Sequence, residues 1–365
     1  MKILGEKNIY LRKSGLWLFV MIPFLLTSLR VTKQLIPETF KVNFSIFSNI
    51  SNFLSPINDG IFFLIISKLF FILFPIFAIT VIEIFPNGLG NARSFSETSL
   101  GRIKLSEGHK FADLYYFLIW LIVNQAPIIL VFLTLGIVNF NKSIELWFRN
   151  LYESYIPINT NPITSCLIFI LALLLTDFAK YLAHRIYHSN EFMWDLHEFH
   201  HSPTEMTILS RLREVPLGRL IVAPLLMPLT VLNGLLIYEF LSRGFSAPLY
   251  IYIFDGMMQV FIGHFAHSST KVVFPKIFSY FYMSPSLHWL HHSSNPEHYD
   301  RNFGMKYPYW DKIFGTYLDH SHVKDIKGYG VSNTQYNKYN PFYVYVILPV
   351  RKLINRSKIT LIEKY

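Results

Sequence analysis

Residues 163–188 read "ITSCLIFILALLLTDFAKYLAHRIYH", and this stretch decides the fold class. Its first part, Ile163–Ala183, is an apolar run of about the 20 residues a helix needs to cross a bilayer. It then delivers His184 and His188, four residues apart and therefore on one helix face. A membrane span that ends in two convergent imidazoles is the expectation from which the rest of the reading works outward.

The whole chain has the composition of a membrane protein. Of 365 residues, 52% are hydrophobic and only 15% charged, where soluble domains carry about a quarter. Further apolar stretches occur at Gly60–Ile82, interrupted by Lys68, at Phe111–Val138 with Pro127 inside it, at Pro216–Leu241 and at Ala247–His267. Leu16–Leu29 is shorter, and either spans beside its neighbours or lies in the interface. The apolar patch 342–350, "FYVYVILPV", is too short to span and is expected as an interfacial helix or a docked strand. The N-terminal apolar run is followed by charged residues rather than a small-residue cleavage site, unlike a signal peptide. The expected fold is thus an all-α integral membrane protein, a transmembrane helix bundle under a cytoplasmic, histidine-rich helical cap. Three regions are expected: a membrane or interfacial region over 1–110, a catalytic domain of spans plus cap over 111–320, and a basic tail over 321–365.

Loop charges orient it. If His184 lies at the cytoplasmic end of its span, Glu83–Lys110 is cytoplasmic with Arg93, Arg102, Lys104 and Lys110, and so are the thirteen Lys and Arg that follow His267. The opposite loop, Asn139–Pro162, holds only Lys142 and Arg149. The net charge of +10 fits this asymmetry and anionic lipid headgroups. No basic run interleaved with aromatics points to nucleic acid. Cys166 is the single cysteine, which excludes an intramolecular disulfide and a thiolate cluster and leaves nitrogen and oxygen as metal donors.

Eleven of the fourteen histidines fall between His184 and His298. They come in patterned groups: "HRIYH" (His184, His188), "HEFHH" (His197, His200, His201), "HFAH" (His264, His267) and "HWLHH" (His288, His291, His292). Spacings of three and four bring imidazoles to one helix face, and neutral imidazole suits iron, zinc, copper and nickel. The groups hold more donors than one tetrahedral site uses, so two metals is the expected count. Alternating spans return all four groups to one membrane surface. In the middle group His267 is the preferred ligand, while His264 is a ligand, a ligand's partner or structural; His298 is a ligand or a partner. His109, His320 and His322 read as ordinary histidines. Asp177, Asp195, Glu198 and Glu205 lie close enough in sequence to accept hydrogen bonds from ligand rings.

Together, "DFAKYLAHRIYH", "WDLHEFHHSPTEMT", "HWLHH" and "DRNFGMKYPYWDKIFGTY" (300–317) resemble the fatty acid hydroxylase/sterol desaturase superfamily of membrane-bound di-iron enzymes over roughly Thr176–Tyr317. The resemblance implies a helical membrane anchor, a di-metal site at its junction with the cap, and O2-dependent hydroxylation or desaturation of a lipid such as a fatty acyl chain or sterol. Carried over by position, the implied ligands are His184, His188, His197, His200, His201, His267, His288, His291 and His292. His264, His298, Asp177 and Glu198 stand as further ligands or hydrogen-bond partners, while Asn302 and Asp311 are expected to brace the cap. One departure is Val215 before Pro216, where many relatives carry histidine.

The implied cofactors are two iron ions, replaceable by zinc, with O2 and an external electron donor (a ferredoxin, cytochrome or reductase). The expected location is a bacterial inner membrane, or the endoplasmic reticulum in a eukaryotic host, with the site on the cytoplasmic side. Two other readings compete. One is a membrane zinc hydrolase using His197, Glu198 and His201 in an HExxH-like run; the other is a non-enzymatic metal-binding or transport protein.

Overall fold

The computed structural model describes residues 9–10, 73–85, 94–105, 112–121, 162–218, 247–268, 272–274, 276–331, 336 and 340–362, with scattered positions between 221 and 236. The expected stretch Leu16–Leu29, most of Gly60–Ile82 before residue 73, and Phe111–Val138 beyond residue 121 lie outside the described residues. What is described is mostly helical. Helices α1 (Leu73–Ile84) and α2 (Ala112–Leu121) precede α3 (Pro162–Ser189) and α4 (Glu191–His201). Then come α5 (Ala247–Ala266), α6 (Lys276–Phe281), α7 (Pro285–His291), α8 (Tyr309–Ile313) and α9 (Leu348–Ile362). Two-residue strands β1 (Ile9–Tyr10) and β2 (Val272–Val273) pair in parallel, Ile9 with Val272 and Tyr10 with Val273.

Among the described residues, one helix is long and apolar enough to cross a bilayer, Cys166–Ser189 within α3. The helix runs past the expected end at Ala183 through His188, because nothing from Tyr181 to His188 breaks it: the stretch lacks Gly and Pro and keeps the apolar period with Leu182 and Ile186. Ile163, Leu167, Leu171 and Leu175 form an exposed stripe along α3 at one-turn spacing, an outward apolar face among the described residues. The opposite side is packed: Phe169, Ala172 and Leu173 meet Leu232 and Leu236, and Asn233 donates to Thr176 Oγ1 at 2.8 Å.

Three further cores surround the histidines. Ile76, Ile79 and Ile82 of α1 pack on Met258, Phe261, Ile262 and Phe265 of α5 and on Ile208, Leu209 and Leu212. Ala112 and Tyr116 of α2, Leu196 and Phe199 of α4, and Val344, Tyr345 and Leu348 near the C-terminus form another. The short patch 342–350 is therefore a helix docked on protein: a π-helical turn over Tyr343–Ile347 leads into α9, with Val344 and Tyr345 buried. Met283, Leu287, Leu290 and Val323 form the last core beneath α7.

Candidate metal centre

Each histidine group sits at a helix end. His184 and His188 lie in the last two turns of α3. Asn190 restarts the chain, its side chain accepting from the N–H groups of Phe192 (2.9 Å) and Met193 (3.3 Å) as the N-cap of α4. That helix carries His197 and His201 one turn apart, with His200 beside them. His267 follows the last turn of α5. Helix α7 begins at Pro285, whose missing N–H costs nothing at a first turn, and ends with His288 and His291; His292 closes it, its N–H donating to His288 O at 3.0 Å.

These nine rings converge into two groups. His184, His188, His197, His201 and His291 form one, and His200, His267, His288 and His292 the other; within each, the donor atoms lie within 4.8 Å of one another. Metal–nitrogen bonds of about 2.0–2.1 Å place ligand nitrogens at most about 4.2 Å apart, so closing on an ion takes a few tenths of an ångström. The groups adjoin, since the rings of His201 and His292 stack with centroids 4.2 Å apart.

The donor atoms fit a metal. Nε2 of His184, His188, His197, His201 and His291, and Nδ1 of His200, are buried with no hydrogen-bond partner. Six such atoms in one place are costly unless something accepts their lone pairs. In the second group Nε2 of His288 lies 2.9 Å from that of His267 and 3.0 Å from that of His292, so three lone-pair-bearing atoms face one point. Burial holds His197, His201, His288, His291 and His292 well below the usual imidazole value, and His200 down at about 4. The rings are therefore neutral at physiological pH, the form that binds metal.

The ring orientations are set mainly by backbone. His184 Nδ1 donates to Phe303 O and His291 Nδ1 to Arg301 O, both at 2.8 Å, which turns each Nε2 toward the centre. His267 Nδ1 lies 3.2 Å from Ser210 Oγ, and His200 makes a backbone hydrogen bond with Arg213. The two carbonyls belong to "DRNFG", where Asp300 (φ 56°) and Asn302 (φ 57°) are left-handed, a conformation that Asp and Asn tolerate.

Asn302 and Asp311 pin that turn. Asn302 Nδ2 donates to Leu287 O and Leu318 O, each at 3.1 Å, and its Oδ1 accepts from Leu318 N. Asp311 accepts from Phe303 N (2.8 Å), Gly304 N (2.7 Å) and Thr316 Oγ1 (2.7 Å). A Cβ on Gly304 would stand 2.7 Å from both Asp311 Oδ2 and Tyr307 O, so that close approach requires glycine.

Asp300 Oδ1 lies 3.8 Å from His188 Nδ1, but the four acidic residues singled out in the sequence pair elsewhere. Asp177 Oδ2 accepts from Trp310 Nε1 at 3.1 Å, joining α3 to α8. Asp195 pairs with Arg356, Glu205 lies 3.8 Å from Arg102, and Glu198 meets Lys352 and Tyr336. His264 lies outside both groups, with Nδ1 3.3 Å from Ile208 O, and so does His298, hydrogen-bonded to Ser293 Oγ at 2.9 Å. The aiming carbonyls carry no side-chain signal in sequence, although the "DRNFG" block that holds them does. A buried ion pair likewise has no local signal: Arg213, 2.6 Å from Asp113, ties α2 to the segment after "HEFHH".

A cavity of about 630 Å³ opens against both groups, touching His184 and His197 of one and His200, His267 and His288 of the other. Leu196, Val215, Leu226, Ile262 and Met283 form an aliphatic part of its wall, while Lys180, whose Nζ donates to Gln259 Oε1 at 2.9 Å, Arg211 and Glu214 bring charge to it.

Residues 169–316 match a family model described as fatty acid hydroxylase. The chain is 29% identical to an alkylglycerol monooxygenase of Caenorhabditis elegans over 178 residues, 48% of this chain and 32% of that protein. It is 27% identical to an ornithine lipid hydroxylase of Rhizobium tropici over 156 residues, 40% of this chain and 41% of that protein. The chain thus spans between a third and two fifths of the length of these curated relatives. No solved structure matches it. Residues 169–316, the stretch that carries all nine gathered histidines, are thus similar to the fatty acid hydroxylase family.

Proposed function

We propose that this protein is a membrane-bound oxygenase that hydroxylates or desaturates a C–H bond of a lipid. The observation that carries the reading is the pair of histidine groups, with buried nitrogens lacking hydrogen-bond partners, beside an apolar cavity. His184, His188, His197, His201 and His291 would hold one iron, and His200, His267, His288 and His292 the other. Bound iron would supply the activation of O2 that ordinary side chains cannot perform.

The chain's own residues do the rest. Burial keeps the imidazoles neutral, and the carbonyls of Phe303 and Arg301 aim His184 and His291 at the centre. The aliphatic wall of Leu196, Val215, Leu226 and Ile262 takes a hydrocarbon chain and excludes water from it. The outward apolar stripe of α3 supports a bilayer around the span, with the histidines at its cytoplasmic end by the loop-charge rule. Electrons come from a separate protein such as a ferredoxin, cytochrome or reductase. The names of the two relatives favour a polar lipid as substrate.

A zinc hydrolase would need Glu198 as its base beside His197 and His201, but that carboxylate is engaged by Lys352 and Tyr336. A transport path would need histidines along the span rather than closed groups at its end. The test compares lipids of cells expressing the intact chain and His291→Ala, with iron measured in both purified proteins. About two irons per chain, and an oxidised lipid absent from the variant, are expected; identical lipid profiles under air would refute the reading.

A further inference from the structure

Helix α4 supplies ligands to both groups, His197 and His201 to one and His200 to the other. Its other side carries Glu191, Asp195 and Glu198, a stripe at spacings of four and three. The C-terminal segment, beyond the matched family stretch that ends at 316, covers that stripe. Lys352 pairs with Glu198, whose Oε2 also accepts from Tyr336 OH at 2.7 Å, and Lys352 donates to Tyr336 OH at 2.9 Å. One turn further along α9, Arg356 Nε donates to Asp195 Oδ2 at 2.6 Å and its guanidinium reaches Glu191. Between these ties, Phe199 packs against Tyr336 (5.5 Å between centroids) and Tyr345 (6.1 Å). Asp195, Glu198 and Tyr336 are buried, so the Lys352–Glu198 pairing works where water screens it little, while the Arg356–Glu191 end is exposed.

We propose that Tyr336 and the stretch 340–356 clamp α4, and that Tyr336, Lys352 and Arg356 are positioning residues for the metal pair; the metal part of this inference rests on the function proposed above. Geometry makes the clamp consequential. A rotation of about 20° at a side-chain radius of about 5.5 Å carries an imidazole nitrogen about 2 Å, a whole metal–nitrogen bond length. Because α4 feeds both groups, the same rotation misplaces donors in each. Binding sites of this kind tolerate about 0.5 Å. The ionic stripe fixes the rotation that the apolar contact at Phe199 alone would leave free to slide.

The test uses the full chain in lipid nanodiscs, comparing wild type with Lys352→Met/Arg356→Met, Arg356→Met alone and Lys352→Arg. Amide hydrogen exchange reads the clamp without metal. The double variant is expected to exchange about tenfold faster across Glu191–His201 with Pro285–His291 unchanged; Arg356→Met moves the same way by less, and Lys352→Arg stays near wild type. Cobalt(II) titration, followed by its visible absorption, reads the consequence. An affinity loss of about tenfold or more in the double variant is expected, the range seen when partners of metal ligands are removed. Unchanged exchange in α4, or wild-type cobalt affinity in the double variant, overturns the proposal. If the double variant does not fold, Arg356→Met, which keeps the Glu198 pairing, decides the matter by the same two measurements. Wild-type protein that binds no metal would defeat the proposed function, while the exchange result would still decide the clamp.

Discussion

Asp311→Ala is expected to be among the most damaging single changes outside the histidines. Asp311 is fully buried and accepts three hydrogen bonds, from Phe303 N, Gly304 N and Thr316 Oγ1 at 2.7–2.8 Å. Alanine removes the acceptor and leaves two backbone donors and a hydroxyl buried, at about 1–3 kcal/mol each. Allowing for rotation of the hydroxyl and for partial relaxation, the loss is about 3–6 kcal/mol. At roughly 2–4 °C per kcal/mol, that lowers the unfolding temperature by about 6–24 °C. The damage is also expected to reach the histidine site, because Phe303, whose N–H Asp311 holds, presents the carbonyl that accepts from His184 Nδ1. Thermal unfolding in detergent and iron content per chain are the assays. Asp319→Ala is the control: Asp319 is half-exposed and caps a single turn by accepting from Ser321 N, so about 1 kcal/mol is expected. If Asp311→Ala falls within about 1 kcal/mol of wild type (a limit set by the control) with iron retained, the claim that this carboxylate organises the "DRNFG" turn is wrong.

Three other outcomes follow from the structure. His291→Ala should lose iron and lipid oxidation together, whereas His264→Gln, at a ring outside both groups, should keep both ions by elemental analysis. Asp113→Asn leaves the buried Arg213 guanidinium without its charge partner and should cost about 3–5 kcal/mol in thermal or denaturant unfolding. By contrast, Glu205→Ala at the half-exposed contact with Arg102 should cost less than about 1 kcal/mol. Chelation of bound metal should lower the unfolding temperature and iron(II) should restore it, with about 4 kcal/mol regained at a thousandfold excess over the dissociation constant; indifference to the chelator would argue against metal in the native state.

Much of the site is legible in the sequence because its signals are local. Spacings of three and four on a helix put His197, His200 and His201, or His288, His291 and His292, on one side whatever the rest of the chain does. The apolar length of α3 is likewise a property of the stretch itself, although its continuation to Ser189 depends only on the absence of a breaker. Asn302 and Asp311 read as braces, but the sequence does not say what they brace. Glu198 can be read as a base in "HEFHH", since nothing nearby in sequence reveals Lys352.

The amino-acid order alone determined that this is a greasy helical chain with its histidines in groups at helical spacing, because hydropathy and helix periodicity act within a few turns. Only the tertiary structure decided how nine rings divide into five and four, which carbonyls aim them, and that Glu198 pairs with Lys352 of the tail. Those choices join His184 to Phe303 and Glu198 to Lys352, residues 119 and 154 positions apart. A hydrogen bond over such a separation depends on which surfaces pack together, and no local period encodes that.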